Sequence, residues 1–113
     1  MANYDYVLKR GDRQSRFVSV LKDPNGNPVD LTGKTVKFIM RQVSADTAKV
    51  SAAATPDPDQ AANTGRVTYD PAAADIDTAD VYYVEWQTTQ AGLTLTYPNG
   101  WHEIAKIVGD LGS

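Results

Sequence analysis

The stretch Asp77–Thr89, DTADVYYVEWQTT, constrains this chain more than any other. Tyr82, Val84 and Trp86 alternate with Tyr83, Glu85 and Gln87, and a strand places the two sets on opposite faces. A face carrying Tyr, Val and Trp needs a covering layer. The Asp-Thr-Ala-Asp lead-in is rich in turn formers and supplies a corner before the strand. These features predict a central strand of an antiparallel sandwich, with Tyr82, Val84 and Trp86 inward.

Composition extends the β reading. Of the 14 acidic residues, 12 are Asp and only Glu85 and Glu103 are Glu. Asp favours turns and caps, whereas Glu favours helix interiors. Val and Thr, both strand formers, recur throughout. A chain of 113 residues fits one domain spanning 1–113. With no cysteine there is neither a disulfide framework nor a thiolate metal site. Net charge is −3, with 11 basic residues that form no block, so no nucleic-acid partner is expected. No apolar run reaches the roughly 20 residues of a membrane span. The opening MANYDYVLKRGD lacks the apolar core of a signal peptide, so the expectation is a soluble chain made in the cytoplasm.

Turn signals divide the chain into seven or eight strands. Strands are expected at Tyr4–Arg10, Ser15–Lys22, Lys34–Val43, Arg66–Asp70, Leu93–Tyr97 and Trp101–Val108, besides the central one. Ser15–Lys22 is apolar on both faces, which suggests a place inside a sheet. Asp23–Pro28 is the strongest turn, with Asn25-Gly26 supplying positive φ. Lys49–Thr55 reads as an Ala-rich strand with Val50 inward; the alternative is a helix over Ala45–Ala53, which would lack an apolar face. Pro56–Gly65 is a loop. Pro71–Asp75 reads as one helical turn with Asp70 as its N-cap. Gln90-Ala91-Gly92 is a hairpin turn, and the parity of Trp101–Val108 is mixed enough to suggest a bulge. Gly109–Ser113 is a tail.

No residue constellation specifies catalysis. Arg10-Gly11-Asp12 is explained by a turn. His102, the one histidine, has no Cys nucleophile and no Gly-x-Ser-x-Gly element to serve. Asp57/Asp59 and Asp75/Asp77/Asp80 lack the ligand ladder of a calcium loop and read as turn residues. Asp75, Asp77, Asp80, Glu85 and Glu103 would need a cleft to act as paired carboxylates. The expectation is no enzyme, no cofactor and no metal. Aromatic residues leave one open question: Tyr82 and Trp86 belong to the core, but Tyr83 and Trp101 are candidates for exposure. Tyr83, Trp101 and His102 are therefore the candidate contact surface.

Several segments, in order, carry a resemblance. They are Val7–Asp12, Leu21–Gly33 (LKDPNGNPVDLTG), Val36–Arg41, Gly65–Tyr69, Val81–Trp86 and Tyr97–Trp101. Together they resemble the Ig-like N-terminal domain of phage baseplate upper proteins and the small tailed-phage and prophage proteins related to it. The resemblance covers nearly the whole chain and rests on the ordered set. It implies an all-β, Ig-like antiparallel β-sandwich and a structural or assembly role in a tail or baseplate. The implied location is the virion, assembled in the host bacterial cytoplasm. The implied partners are other virion or tail proteins and further copies of the chain, met through edge strands (the first above all) and loop aromatics. Larger members add a stalk and a receptor-binding domain; this chain is expected to be a tail accessory protein or small connector. The run Asp77-Thr78-Ala79…Tyr82-Tyr83 also resembles the corner before the second cysteine of immunoglobulin variable domains, with Val84 at the cysteine position. A carbohydrate-binding or adhesion module is the second reading.

Overall fold

A computed structural model describes residues 4–10, 16–97 and 103–109. Alternation of buried and open side chains produces strands throughout. They are β1 Tyr6–Lys9, β2 Phe17–Val20, β3 Thr35–Gln42, β4 Val50–Pro56, β5 Arg66–Tyr69, β6 Asp80–Gln90, β7 Leu93–Tyr97 and β8 Glu103–Val108. A single 3-10 turn, Ala73–Ile76, precedes β6. The protein is all-β, and segment 50–56 is a strand, as its lack of an apolar helical face predicts.

The strands follow one hydrogen-bonded path, β1-β8-β6-β3-β4-β5-β2, with β7 also beside β6. β4 makes the fold close: Val50–Ala54 pairs with β3, while Thr55 and Pro56 pair with β5. The sheet therefore turns over on itself at β4 and becomes nearly barrel-shaped. Two expectations are corrected here. The sheet is mixed rather than antiparallel, because β1 runs parallel to β8, Tyr6 against Ala105. And β2 pairs only with β5 among the described residues, so it ends the path instead of sitting inside a sheet.

β6 is the spine. It pairs with β3 along one edge, and with β8 and then β7 along the other. Trp86 faces Tyr97 and Val84 faces Glu103, so two positions on β6 correspond to six on the returning chain. Within β8 the mixed parity comes from Glu103, which is polar yet shares the inward parity of buried Ala105 and Ile107, and from Ile104, which is apolar yet of the outward parity. Tyr82, Val84 and Trp86 are fully buried, as the alternation predicts. They meet a chain of rings that ties the two halves together. Phe38 packs on Phe17 at 4.7 Å, stacks on Tyr69 at 4.3 Å and meets the Trp86 edge at 5.0 Å.

The corner before β6 is fixed by hydrogen bonds. The Tyr82 hydroxyl donates to the Thr78 carbonyl at 2.7 Å, four residues upstream. The 3-10 turn is capped differently from expectation: its N-cap is Ala72, whose N–H donates to Asp75 Oδ2 at 2.9 Å, while Asp70 pairs with Arg16 at 3.1 Å. Asp75 also accepts from the Tyr69 hydroxyl.

Elsewhere the turns differ in mechanism. In Asp23–Pro28 only Gly26 has positive φ, and Asp23 Oδ1 accepts from both Asn25 and Asn27 N–H. The β6–β7 hairpin instead places both Ala91 and Gly92 in the left-handed region, at φ 52° and 82°, the pattern that usually selects Asn-Gly.

Candidate functional site

Three polar arrangements have chemistry to consider: the seam between β1 and β2, the loop after β4, and the outer face of the β8-β6-β3 layer.

At the seam the path ends face each other, joined by side chains. Glu103, at the start of β8, points inward. Its Oε1 accepts from Trp86 Nε1 and from the Tyr6 hydroxyl, both at 2.8 Å, and its Oε2 accepts from Ser19 Oγ at 3.0 Å. One carboxylate thus links β8, β6, β1 and β2. The Val18 carbonyl lies 3.2 Å from the Tyr6 hydroxyl, and the Tyr6 and Phe17 rings meet at 5.0 Å. Burial, together with the Glu103 charge, pushes the Tyr6 hydroxyl pKa well above its ordinary value. A recess of about 140 Å³ opens beside Glu103, lined by Ser19, Val20, Leu21, Lys22 and Tyr97. The carboxylate holds the seam closed. Glu85 is not its partner: it lies on β6 with the parity opposite to Val84, the residue that faces Glu103, and so on the other face of the sheet.

The loop after β4 is also built for stability. Gln60 is buried with both ends satisfied. Oε1 accepts from the N–H groups of Leu31 and Gly65, and Nε2 donates to the carbonyls of Asp57 and Arg66. Gly65 has φ 83°, and an added Cβ would stand 2.7 Å from the Leu21 carbonyl oxygen. Asp57 and Asp59 form local turns by accepting from the N–H groups of Asp59 and Ala62.

Asp77, Asp30 and Asp80 are similarly engaged. Asp77 binds Lys49 Nζ at 2.8 Å, and this contact, together with the Thr78 hydroxyl, holds its carboxyl below the ordinary range. Asp30 is lowered by the hydroxyl and N–H of Thr32. Asp80 accepts from Gln42 at 3.0 Å. Asp30 thus closes its own turn, whereas Asp77 and Asp80 fasten the corner before β6 to Lys49 and Gln42.

The outer face is different. A sheet face turned to solvent normally carries polar residues. Here the outward positions include Val7, Val81, Tyr83, Ile39 and Ile104, and Val43 lies beside Val81 through a 3.2 Å backbone hydrogen bond. Val7 is 63% and Val43 43% exposed. Register sets the neighbours: Tyr83 stands between Ile104 and Arg41, and Glu85 faces Ile39. The Arg41 guanidinium lies 5.8 Å from the Tyr83 ring centroid, and Lys106 lies 5.5 Å from that of Tyr4. Ile39, Arg41, Ala48, Tyr83 and Glu85 line an open recess of about 280 Å³ at the centre of the face.

Of the contact residues expected from sequence, Tyr83 lies on this face, half-buried. Trp101 and His102, like Gly11 and Asp12 of the Arg-Gly-Asp turn, lie outside the described residues. Sequence reasoning missed Arg41, Ile39 and Ile104 as members of the same surface. Their signal was present as apolar residues on the parity opposite the core, but joining them required the β8-β6-β3 order. The first strand does lie at an end of the path, yet its side toward β2 is covered by the Tyr6 and Glu103 contacts.

Compared with known proteins, the chain matches no family model, and no curated protein matches it.

Proposed function

We propose that this chain is an Ig-like structural and assembly module of a tailed phage or prophage particle, a tail or baseplate component working through protein–protein contacts. The observation that carries the contact reading is the outer face of β8-β6-β3, where Val81, Tyr83, Ile39 and Ile104 occupy positions that a purely solvated face would fill with polar groups. Tyr and Arg side by side, with aliphatic neighbours, suit the centre of a protein interface.

Topology supports the Ig-like reading. A first strand parallel to the last, a spine flanked by its hairpin partner and β3, and a second layer of β5 and β2 reached through β4 follow the order of that sandwich. The Tyr82–Thr78 bond has the form of a tyrosine corner. Segment order along the chain, from Val7–Asp12 to Tyr97–Trp101, supports the phage assignment. The carbohydrate-platform alternative is less well supported, because a sugar needs a bare aromatic face and the Tyr83 ring carries Arg41.

The test is mass spectrometry of particles purified after prophage induction of the encoding strain. Peptides of this chain at a fixed stoichiometry to other tail proteins are expected. Tailed particles that lack it, from cells that make it, would overturn the assignment.

A further inference from the structure

We infer that the outer face of β8-β6-β3 pairs with the same face of a second copy about a two-fold axis running along the Tyr83–Ile39 diagonal. This rests on the contact-module reading and names its first partner. A two-fold interface must be self-complementary: a residue and its counterpart exchange places across the axis. On this face Arg41 is level with Tyr83, and Ile39 is level with Glu85 one step along the strands. Arg41 and Glu85 thus occupy one diagonal of a near-rectangular group of four and Tyr83 and Ile39 the other. No ion pair joins Arg41 to Glu85 among the described residues.

An axis along the Tyr83–Ile39 diagonal brings Arg41 of each copy over Glu85 of the other. It brings Ile39 onto its counterpart and sets the two Tyr83 side chains, each carrying its own Arg41, to either side of the axis. The same operation carries Val81 onto Ile104, since Val81 lies one step before Tyr83 on β6 and Ile104 lies beside Tyr83 on β8. Opposite charges meet twice and apolar side chains meet apolar ones, while Lys106, level with Val81 and so on the axis line, meets its own counterpart. Lys106 lies where the axis leaves the face, drawn over the Tyr4 ring of its own copy.

Size sets the strength. Three strands at about 4.8 Å spacing and four outward rows at about 6.8 Å give on the order of 400 Å² per copy, below the roughly 800 Å² of a standard interface. So small a face belongs to the size class of weak, transient contacts, suited to a particle where many copies are held close together.

Sedimentation of the full chain up to about 1 mM, with charge-reversed variants, tests this. The wild type should shift from monomer to dimer. Arg41→Glu or Glu85→Arg alone, each opposing like charges twice per dimer, should weaken association at least about tenfold. The double exchange Arg41→Glu/Glu85→Arg should recover it to within about threefold. If a reversal harms folding, Arg41→Gln and Glu85→Gln provide the same comparison with a smaller loss. A wild type that stays monomeric throughout, single reversals without effect, or a double exchange that restores nothing would each overturn the pairing. A chain found in particles yet monomeric in solution would remove the dimer and leave the module reading intact.

Discussion

The two sides of β6 are made from one run of 11 residues and behave as different materials. Inward, Tyr82, Val84 and Trp86 are sealed, and each polar atom has a partner: the Tyr82 hydroxyl binds the Thr78 carbonyl and Trp86 Nε1 binds Glu103. Outward, Val81, Tyr83 and Glu85 are half-open, and the Glu85 carboxylate has no hydrogen-bond or ion-pair partner among the described residues. The inner side fixes the fold. The outer side retains apolar area and charge that the core does not use. A strand that satisfies its core this completely can carry a sticky outer face without losing its register.

The largest effect expected on the inner side is at Glu103. Glu103→Ala strands the donors of Trp86, Tyr6 and Ser19 and opens the seam, a loss of about 4 kcal/mol in urea unfolding. A loss below about 1 kcal/mol would mean that the seam is held by ring packing instead. Gly65→Ala follows at about 3 kcal/mol, because a left-handed backbone and a 2.7 Å approach to the Leu21 carbonyl oppose any Cβ. That variant should keep its circular dichroism spectrum while its midpoint falls.

Alkaline titration probes the same side. Burial raises the hydroxyl pKa values of Tyr6, Tyr69 and Tyr82 above the ordinary 10.0. Acid Asp75 adds to this at Tyr69, and Asp80 and Asp77 do so at Tyr82. The folded state then holds protons that the unfolded chain has released. Stability from these groups is complete below pH ~10 and is lost as pH rises through the raised values. Urea midpoints should be level to about pH 9 and fall above about pH 10. A midpoint that rises there would contradict the burial of these hydroxyls.

Smaller changes sharpen the contrast. Ala91→Asn should stabilise by about 0.5 kcal/mol, since Asn tolerates the left-handed first position of the β6–β7 turn better than Ala. Tyr83→Ser, on the outer side, should alter monomer stability by only about 0.5 kcal/mol while weakening self-association. Equal losses at Tyr83 and at Glu103 would erase the distinction between the two sides.

The inner side was legible because alternation alone assigns it. Tyr82, Val84 and Trp86 need only a two-residue period, and the corner before them is local, four residues from Tyr82 to Thr78. Long-range partners were not legible. Glu103 shares the inward parity of Ala105 and Ile107, but its place opposite Val84, within reach of Trp86, depends on a four-residue step in register between β6 and the returning chain, which no local pattern announces. Parallel pairing of β1 joins Tyr6 to Ala105 from opposite ends of the sequence. Gln60 reads as a loop polar residue until Leu31, 29 positions away, is brought to it. The outer face falls between these cases: Tyr83 stood out by parity, whereas Arg41, Ile39 and Ile104 joined it only when the strand order was known.

Amide correlation spectra of the labelled chain, recorded from about 50 µM to about 1 mM, test the contact face most directly. Concentration-dependent shifts should gather at Ile39, Arg41, Val81, Tyr83, Glu85 and Ile104, and leave Tyr82, Val84, Phe17 and the Gln60 loop unmoved. Shifts that map instead to the exposed side of β7, around Leu93 and Leu95, or no shifts at all, would contradict the assignment of this face as the surface through which copies of the protein meet.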